Sequence, residues 1–227
     1  MKRLMILFSL VMLLAACSND NFSDDYSAYK NMDSQQILQK AEHHLATKSY
    51  DDAVKDLSAL DALFPFGPYA EQGLLDSIYA YYQDSQPALA MASAQRYIRL
   101  YPQSTHVDYA LYMQGIINFN QGMSWLQKKF KVQPDALNTD NNKKAFSAFM
   151  SLVRTYPRSV YTADALARLR YLRNMFAKHE MLIAQYYFKR HAYVAAANRA
   201  AYVVEHFNGV PQVKNALQLQ VQCYQIL

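Results

Sequence analysis

The stretch Ser49-Tyr50-Asp51-Asp52-Ala53-Val54 decides how this chain is read, because it opens an interval that recurs along the chain. Tyr50 stands three residues before Ala53, and Pro65 stands twelve residues after it. The same twelve-residue interval from a small residue to proline recurs at Ala90 and Pro102 and again at Ala145 and Pro157. A fourth copy places Tyr193 and Ala196 in register, with Asn208 in the proline position. An aromatic residue precedes each proline (Phe64, Tyr101, Tyr156). Fixed self-similarity of this kind marks a repeat architecture. Small side chains such as Ala41, Ala53, Ala184 and Ala196 let paired helices approach closely. The prolines lie just past each second helix because proline cannot continue one.

The pattern resembles the tetratricopeptide (TPR) repeat, where helix A turns into helix B at the Tyr-x-x-Ala signature. The expected fold is therefore all-α, a right-handed TPR-type helical solenoid. Composition agrees. With 52% hydrophobic and 14% aromatic residues the chain has ample surface to bury. Its 227 residues include only 5 Gly, too few for the tight hairpins of a sandwich or barrel. No segment keeps up the alternation of a strand. The expected helices are 33–47, 50–63, 68–82, 86–100, 105–121, 142–155, 159–190 (bent near Lys178), 193–206 and 211–226. Repeats occupy 33–121 and 142–227, the last one incomplete, with an insertion loop at 122–141.

The N-terminus reads differently. Lys2 and Arg3 precede an apolar run from Leu4 to Leu14, then Ala15-Ala16-Cys17. That run is too short to span a bilayer and has the layout of an export signal. Leu14-Ala15-Ala16-Cys17 also looks like the bacterial lipobox, in which the Cys becomes an acylated N-terminus. Residues 1–16 are then a signal peptide, Cys17 carries a covalent lipid, and 17–32 form a flexible tether. Ser18 in place of Asp implies an outer-membrane address facing the periplasm. With Cys17 acylated, Cys223 has no partner, so no disulfide framework is possible.

Several longer runs are more specific than a generic repeat. Phe64-Pro65-Phe66-Gly67-Pro68-Tyr69, Ile78-Tyr79-Ala80-Tyr81-Tyr82, Arg96-Tyr97-Ile98-Arg99-Leu100 and Leu152-Val153-Arg154-Thr155-Tyr156-Pro157 resemble the BamD (ComL) family of outer-membrane β-barrel assembly lipoproteins. The resemblance covers most of the chain from residue 33. Members of that family have five repeats, whereas four are complete in this sequence. The resemblance implies a scaffold of the BAM complex that recognises the C-terminal, aromatic-bearing signals of unfolded outer-membrane proteins. It also implies docking of the C-terminal repeats on BamA-like POTRA domains and association with other BAM lipoproteins. Arg199, in the second helix of the fourth repeat, is the expected contact, the alternative being an ordinary surface arginine.

Absent chemistry narrows the function classes. Gly at only 67, 73, 115, 122 and 209 leaves no Walker loop, dinucleotide fingerprint or Gly-x-Ser-x-Gly elbow. The six His show no i, i+4 metal pairing, and the four Glu form no evident acid–base pair. A non-enzyme is expected, with no metal and no cofactor beyond the lipid on Cys17. A peptidoglycan-processing enzyme would need a catalytic domain for which no residues are left over. A TPR lipoprotein of pilus assembly or envelope coordination is the other alternative.

What remains is surface. TPR A helices face a concave groove at repeat positions 2, 5, 9 and 12. Taking the signature alanines as position 20 puts Gln35, Leu38, Glu42 and Leu45 there in repeat one, and Gln72, Leu75, Tyr79 and Tyr82 in repeat two. Gly115 as position 8 adds Tyr109, Tyr112, Ile116 and Phe119. An aromatic, peptide-binding groove of Tyr79, Tyr82, Tyr109, Tyr112 and Phe119 is thus expected, the alternative being that these rings are interhelical core. Charge is divided: residues 17–108 carry 6 basic and 13 acidic side chains, residues 109–227 carry 15 and 5. The basic half suits an acidic protein or anionic headgroups. Nucleic acid is disfavoured by the export signal.

Overall fold

A computed structural model describes residues 26–122 and 139–227, and every regular element among them is helical. A 3-10 turn at Tyr26–Tyr29 belongs to an N-terminal unit ending at Asp33. From Ser34 the described residues form α1 (Ser34–Ala46), α2 (Tyr50–Leu63), α3 (Ala70–Gln83), α4 (Pro87–Leu100) and α5 (Val107–Gly122). They continue as α6 (Thr139–Thr155), α7 (Thr162–Lys189), α8 (Tyr193–His206) and α9 (Gln212–Ile226). The expected helices are present, with ends displaced by three residues or fewer. The insertion is shorter than expected. Gly122 still belongs to α5, and α6 opens at Thr139 with Asp140 in its first turn, where the helix dipole favours a carboxylate. The rest of that insertion, the signal peptide 1–16, Cys17 and the tether as far as residue 25 lie outside the described residues. Helix α7 is unbroken through Lys178.

Each helix packs on the next, and α1 also meets α3, α3 meets α5 and α7 meets α9. First helices of successive pairs therefore lie side by side and second helices alternate with them, the arrangement of a helical-repeat solenoid. The residues that set the sequence register sit at the tightest points: Ala41, Ala53, Ala90, Ala145, Ala184 and Ala196 are all 0% exposed. Between them, larger side chains fill successive core layers. Ile78, Ala94 and Tyr97 form one, Phe149, Leu152 and Leu172 the next, and Ala200, Val203 and Cys223 the last.

The second helices end alike. The N–H groups of Phe64, Tyr101, Tyr156 and Phe207 donate to the carbonyls of Leu60, Tyr97, Leu152 and Val203 at 2.8 to 3.0 Å. Phe64, Tyr101 and Phe207 then leave helical geometry, with φ −133°, −124° and −119°. A proline at the next position enforces this in the first two cases, because it disfavours the helical region for the residue before it.

The turns inside the pairs repeat as well. Lys48, Ser85 and His191 have φ of 62°, 60° and 58°, each five residues before a signature alanine. The next N–H in each case (Ser49, Gln86, Ala192) reaches back to His44, Tyr81 and Tyr187 at 2.9, 2.8 and 3.0 Å, which closes a Schellman turn. That left-handed position favours glycine, since other L-residues lose about 1–2 kcal/mol there. Ser85→Gly is expected to stabilise the chain by about 0.5–1 kcal/mol after its entropy cost. The check is a higher denaturant midpoint with an unchanged m value.

Candidate functional site

The side-by-side first helices create one aromatic surface. On α3, Tyr79 is 36% exposed and meets the ring of Tyr50 on α2 edge-on at 6.1 Å. Tyr82 is half-buried between two core layers, and its hydroxyl accepts a hydrogen bond from the Asn120 amide on α5. Tyr109 and Tyr112, one turn apart on α5, share Tyr161 at the start of α7. Tyr112 stacks on it at 4.8 Å and 19°, and Tyr109 approaches at 5.7 Å.

Polar contacts extend the row. The Tyr112 hydroxyl donates to Asp164 Oδ2 at 2.8 Å, and Arg168 Nε donates to the same oxygen at 2.6 Å. The Arg168 guanidinium lies 4.9 Å above the Phe119 ring, whose edge meets Tyr171 at 5.7 Å. Burial opposes the charge on Asp164, but hydrogen bonds from Arg168 and Tyr112 outweigh it and hold the carboxyl below its usual range. Burial pushes Tyr112 up to about 12, with Asp164 adding to the shift, and burial raises Tyr109 further still. Both phenols are neutral donors at neutral pH. Rings with one apolar face and one polar tip suit a partly wet recognition surface.

The sequence register distributes unevenly over this surface. Tyr79 is exposed, Tyr82, Tyr109 and Tyr112 are half-buried, and Gln35 and Glu42 are exposed. Leu38, Leu75 and Ile116 are 5%, 8% and 7% exposed and belong to the core. Phe119 needs the same correction: at 7% exposure it packs against Phe149 beneath Arg168, so its ring is interhelical core. Two residues of the surface escaped the sequence reading. Asp164 and Arg168 are an i, i+4 pair that looks like any solvated helix face. Only the approach of α5, 52 residues back in sequence, gives them a second role.

Asp76 was also missed. Gln72 donates to its Oδ1 at 2.8 Å, while Oδ2 is closed off from solvent and meets no donor among the described residues. Burial, with a smaller push from Glu42, raises this carboxyl to about 6. Another buried carboxylate, Asp56, binds α1 to α2 through Lys40 Nζ at 2.8 Å and His44 Nδ1 at 2.7 Å. This accounts for one of the adjacent histidines as a structural partner.

Arg199 lies on α8 and donates to Glu180 Oε2 on α7 at 3.0 Å. It borders a shallow hollow with Tyr187, Asn198 and Tyr202. Among the described residues no three His, Cys, Asp or Glu side chains are grouped as metal ligands. No described helix is long and apolar enough to cross a membrane.

Comparison with known proteins identifies the family. The profile of the outer membrane lipoprotein family YfiO matches residues 30–227. The chain is 35% identical over 228 aligned positions to the outer membrane protein assembly factor BamD of Neisseria meningitidis serogroup A, covering all of this chain and 85% of that protein. Its likeness to the BamD proteins of Pasteurella multocida and Vibrio cholerae is 35% and 33%. Those alignments cover 84% and 85% of this chain and 74% and 80% of theirs.

Proposed function

We infer the function from one premise: this chain belongs to the YfiO family of outer membrane lipoproteins. It is an outer-membrane protein assembly factor with a role in the BAM complex. It sits at the outer membrane, held by a lipid on Cys17 and facing the periplasm. It acts as a scaffold, contributing position rather than a covalent step. Its first helices receive the C-terminal, aromatic-bearing signal of an unfolded outer-membrane protein. Its C-terminal repeats dock on BamA-like POTRA domains beside the other BAM lipoproteins.

The observation that supports peptide recognition most is the tyrosine row itself. Tyr79, Tyr82, Tyr109 and Tyr112 come from two adjacent first helices, Tyr79 exposed and the other three half-buried. Such a strip can stack the side chains of an extended peptide on its rings. Replacing Tyr79, Tyr82 and Tyr112 together by Ala is expected to lower cross-linking to an outer-membrane-protein C-terminal peptide about tenfold, which equals about 1.4 kcal/mol. The Tyr112→Phe variant separates ring from hydroxyl and keeps the stack on Tyr161. Equal cross-linking by the triple variant, with helical content intact, removes these residues from the site.

Docking through Arg199 rests on its position in the basic half and on a side chain 46% exposed despite its bond to Glu180. Arg199→Glu sets a second carboxylate against Glu180 and is expected to reduce co-purification of a POTRA-containing barrel protein. Unchanged recovery excludes Arg199 as a major contact, and Glu180→Gln controls for loss of the internal pair.

A further inference from the structure

Asp76 stands on α3 between Gln72, one turn before it, and Tyr79, one turn after it, so the three share one side of the helix. Gln72 occupies Oδ1 of this carboxyl at 2.8 Å. Oδ2 is shut off from solvent and accepts no hydrogen bond among the described residues. A buried acceptor in this state costs stability, and far more when it carries charge.

The neighbouring helices supply like charge and no cation. Glu42 on α1 opposes ionisation of Asp76, and Tyr109 on α5 lies within its electrostatic reach. The Tyr79 ring meets Tyr50 of α2. Charged groups of α2 and α4 are engaged elsewhere: Lys55 with Asp51 and Asp52, Asp56 with Lys40 and His44, and Arg96 with Asp61. Arg99, also on α4, is exposed. Burial above all, with Gln72 offsetting part of it and Glu42 adding to it, holds the Asp76 carboxyl at about 6.

We propose that Asp76 makes capture by the tyrosine row proton-linked: the row holds an uncharged, aromatic-bearing segment while this carboxyl is neutral and loosens its hold as the carboxyl ionises. The proposal rests on the peptide-binding reading of the row and adds its regulation.

The coupling follows from where the carboxyl lies. Tyr79 is exposed on the next turn of α3, and Tyr109 is half-buried on the neighbouring first helix. A segment stacked on these rings covers Asp76. It brings no cation and removes water from the Asp76 and Glu42 carboxylates, which opposes ionisation further. The bound chain therefore keeps the Asp76 proton to higher pH than the free chain does. Linkage requires the reciprocal, tighter binding by the protonated chain. Affinity is then highest below about pH 6, falls as the free chain loses the proton that the bound chain keeps, and levels off once both have lost it.

The probe is a ten-residue peptide with Tyr or Phe at alternate positions, Thr or Gln between them, an acetylated N-terminus and a free C-terminal carboxylate. None of its groups titrates between pH 5 and 8. Binding to the full chain in detergent micelles is followed by titration calorimetry across that range, in two buffers of different ionisation heat. The parent is expected to bind about tenfold more tightly at pH 5 than at pH 8, and to take up about half a proton per peptide at pH 6.5. Asp76→Asn should flatten the profile and abolish the uptake, while Glu42→Gln should move the fall in affinity to lower pH. Histidines also titrate in this window, and any slope left in Asp76→Asn measures them.

Binding by the parent with no pH dependence overturns the proposal and leaves the peptide surface standing, as does an equal slope in Asp76→Asn. Tighter binding at pH 8 overturns it in favour of a charged Asp76 that accepts the peptide's main-chain N–H. Absence of binding at every pH, or binding unchanged when Tyr79, Tyr82 and Tyr112 are all Ala, overturns the reading of the row and the proposal with it.

Discussion

Gly115→Ala is expected to lower the thermal midpoint by about 4–8 °C, a net loss of about 2 kcal/mol for a domain of this size. A Cβ at Gly115 would lie 2.3 Å from Cε1, 2.5 Å from Cδ1 and 2.7 Å from Cζ of Phe149. Phe149 is 0% exposed and anchors the layer between α5, α6 and α7, so its ring has nowhere to retreat. The helix-propensity gain of Ala over Gly, about 1 kcal/mol, opposes this but is smaller than the overpacking. Phe149→Leu in the same chain should relieve the clash, making the double variant more stable than the two single losses imply by about 1 kcal/mol. A Gly115→Ala chain as stable as the parent would mean that α5 and α6 can separate at no cost. Because Gly115 lies one turn from Tyr112, displacement of α5 should also disturb the tyrosine row.

Asp76→Asn is expected to do the reverse and stabilise the chain, but only above a certain pH. The Asp76 carboxyl is raised from 3.8 to about 6, chiefly by burial. Below pH 4 it is protonated in both folded and unfolded chains and contributes no difference. Between pH 4 and 6 the unfolded chain releases the proton while the folded chain keeps it, so parent stability falls as pH rises. Above about pH 6 the penalty levels off near 3 kcal/mol, at about 1.4 kcal/mol per unit. Asn keeps an oxygen for Gln72 but leaves a buried amide group without a partner, so the expected gain at pH 7.5 is about 1–2 kcal/mol. Denaturant midpoints measured from pH 4 to 8 should cross: the variant is less stable than the parent by about 1–2 kcal/mol at the acid end, where only the unpaired amide counts, and overtakes it before neutrality. A difference constant over that range would refute the burial account. Asp76, bonded to Gln72 and near Glu42, lies beside the tyrosine row proposed above as the peptide surface.

Much of this was legible in the residues because it is local. The interval from Ala53 to Pro65, and its copies at Ala90, Ala145 and Ala196, encode one helix-pair geometry again and again. Short-range sterics enforce it: a small side chain at the closest approach, then a proline that stops the helix. The family resemblance rested on equally contiguous runs. The groove was legible only in part, since repeat position determines which side of a first helix a residue occupies but not what stands opposite it. Leu38, Leu75 and Ile116 hold groove positions in the repeat, yet neighbouring helices cover them.

From its sequence alone, then, this chain is a solenoid of paired helices with tyrosines on its first helices, because those features depend on spacings of three to twelve residues. Tertiary structure alone decided that Asp164 and Arg168 complete the Tyr112 surface and that Asp76 meets no second donor among the described residues. Each depends on the angle at which one repeat stacks on the next. That angle is the summed outcome of many core contacts, such as Phe149 against Gly115, and no short motif records it.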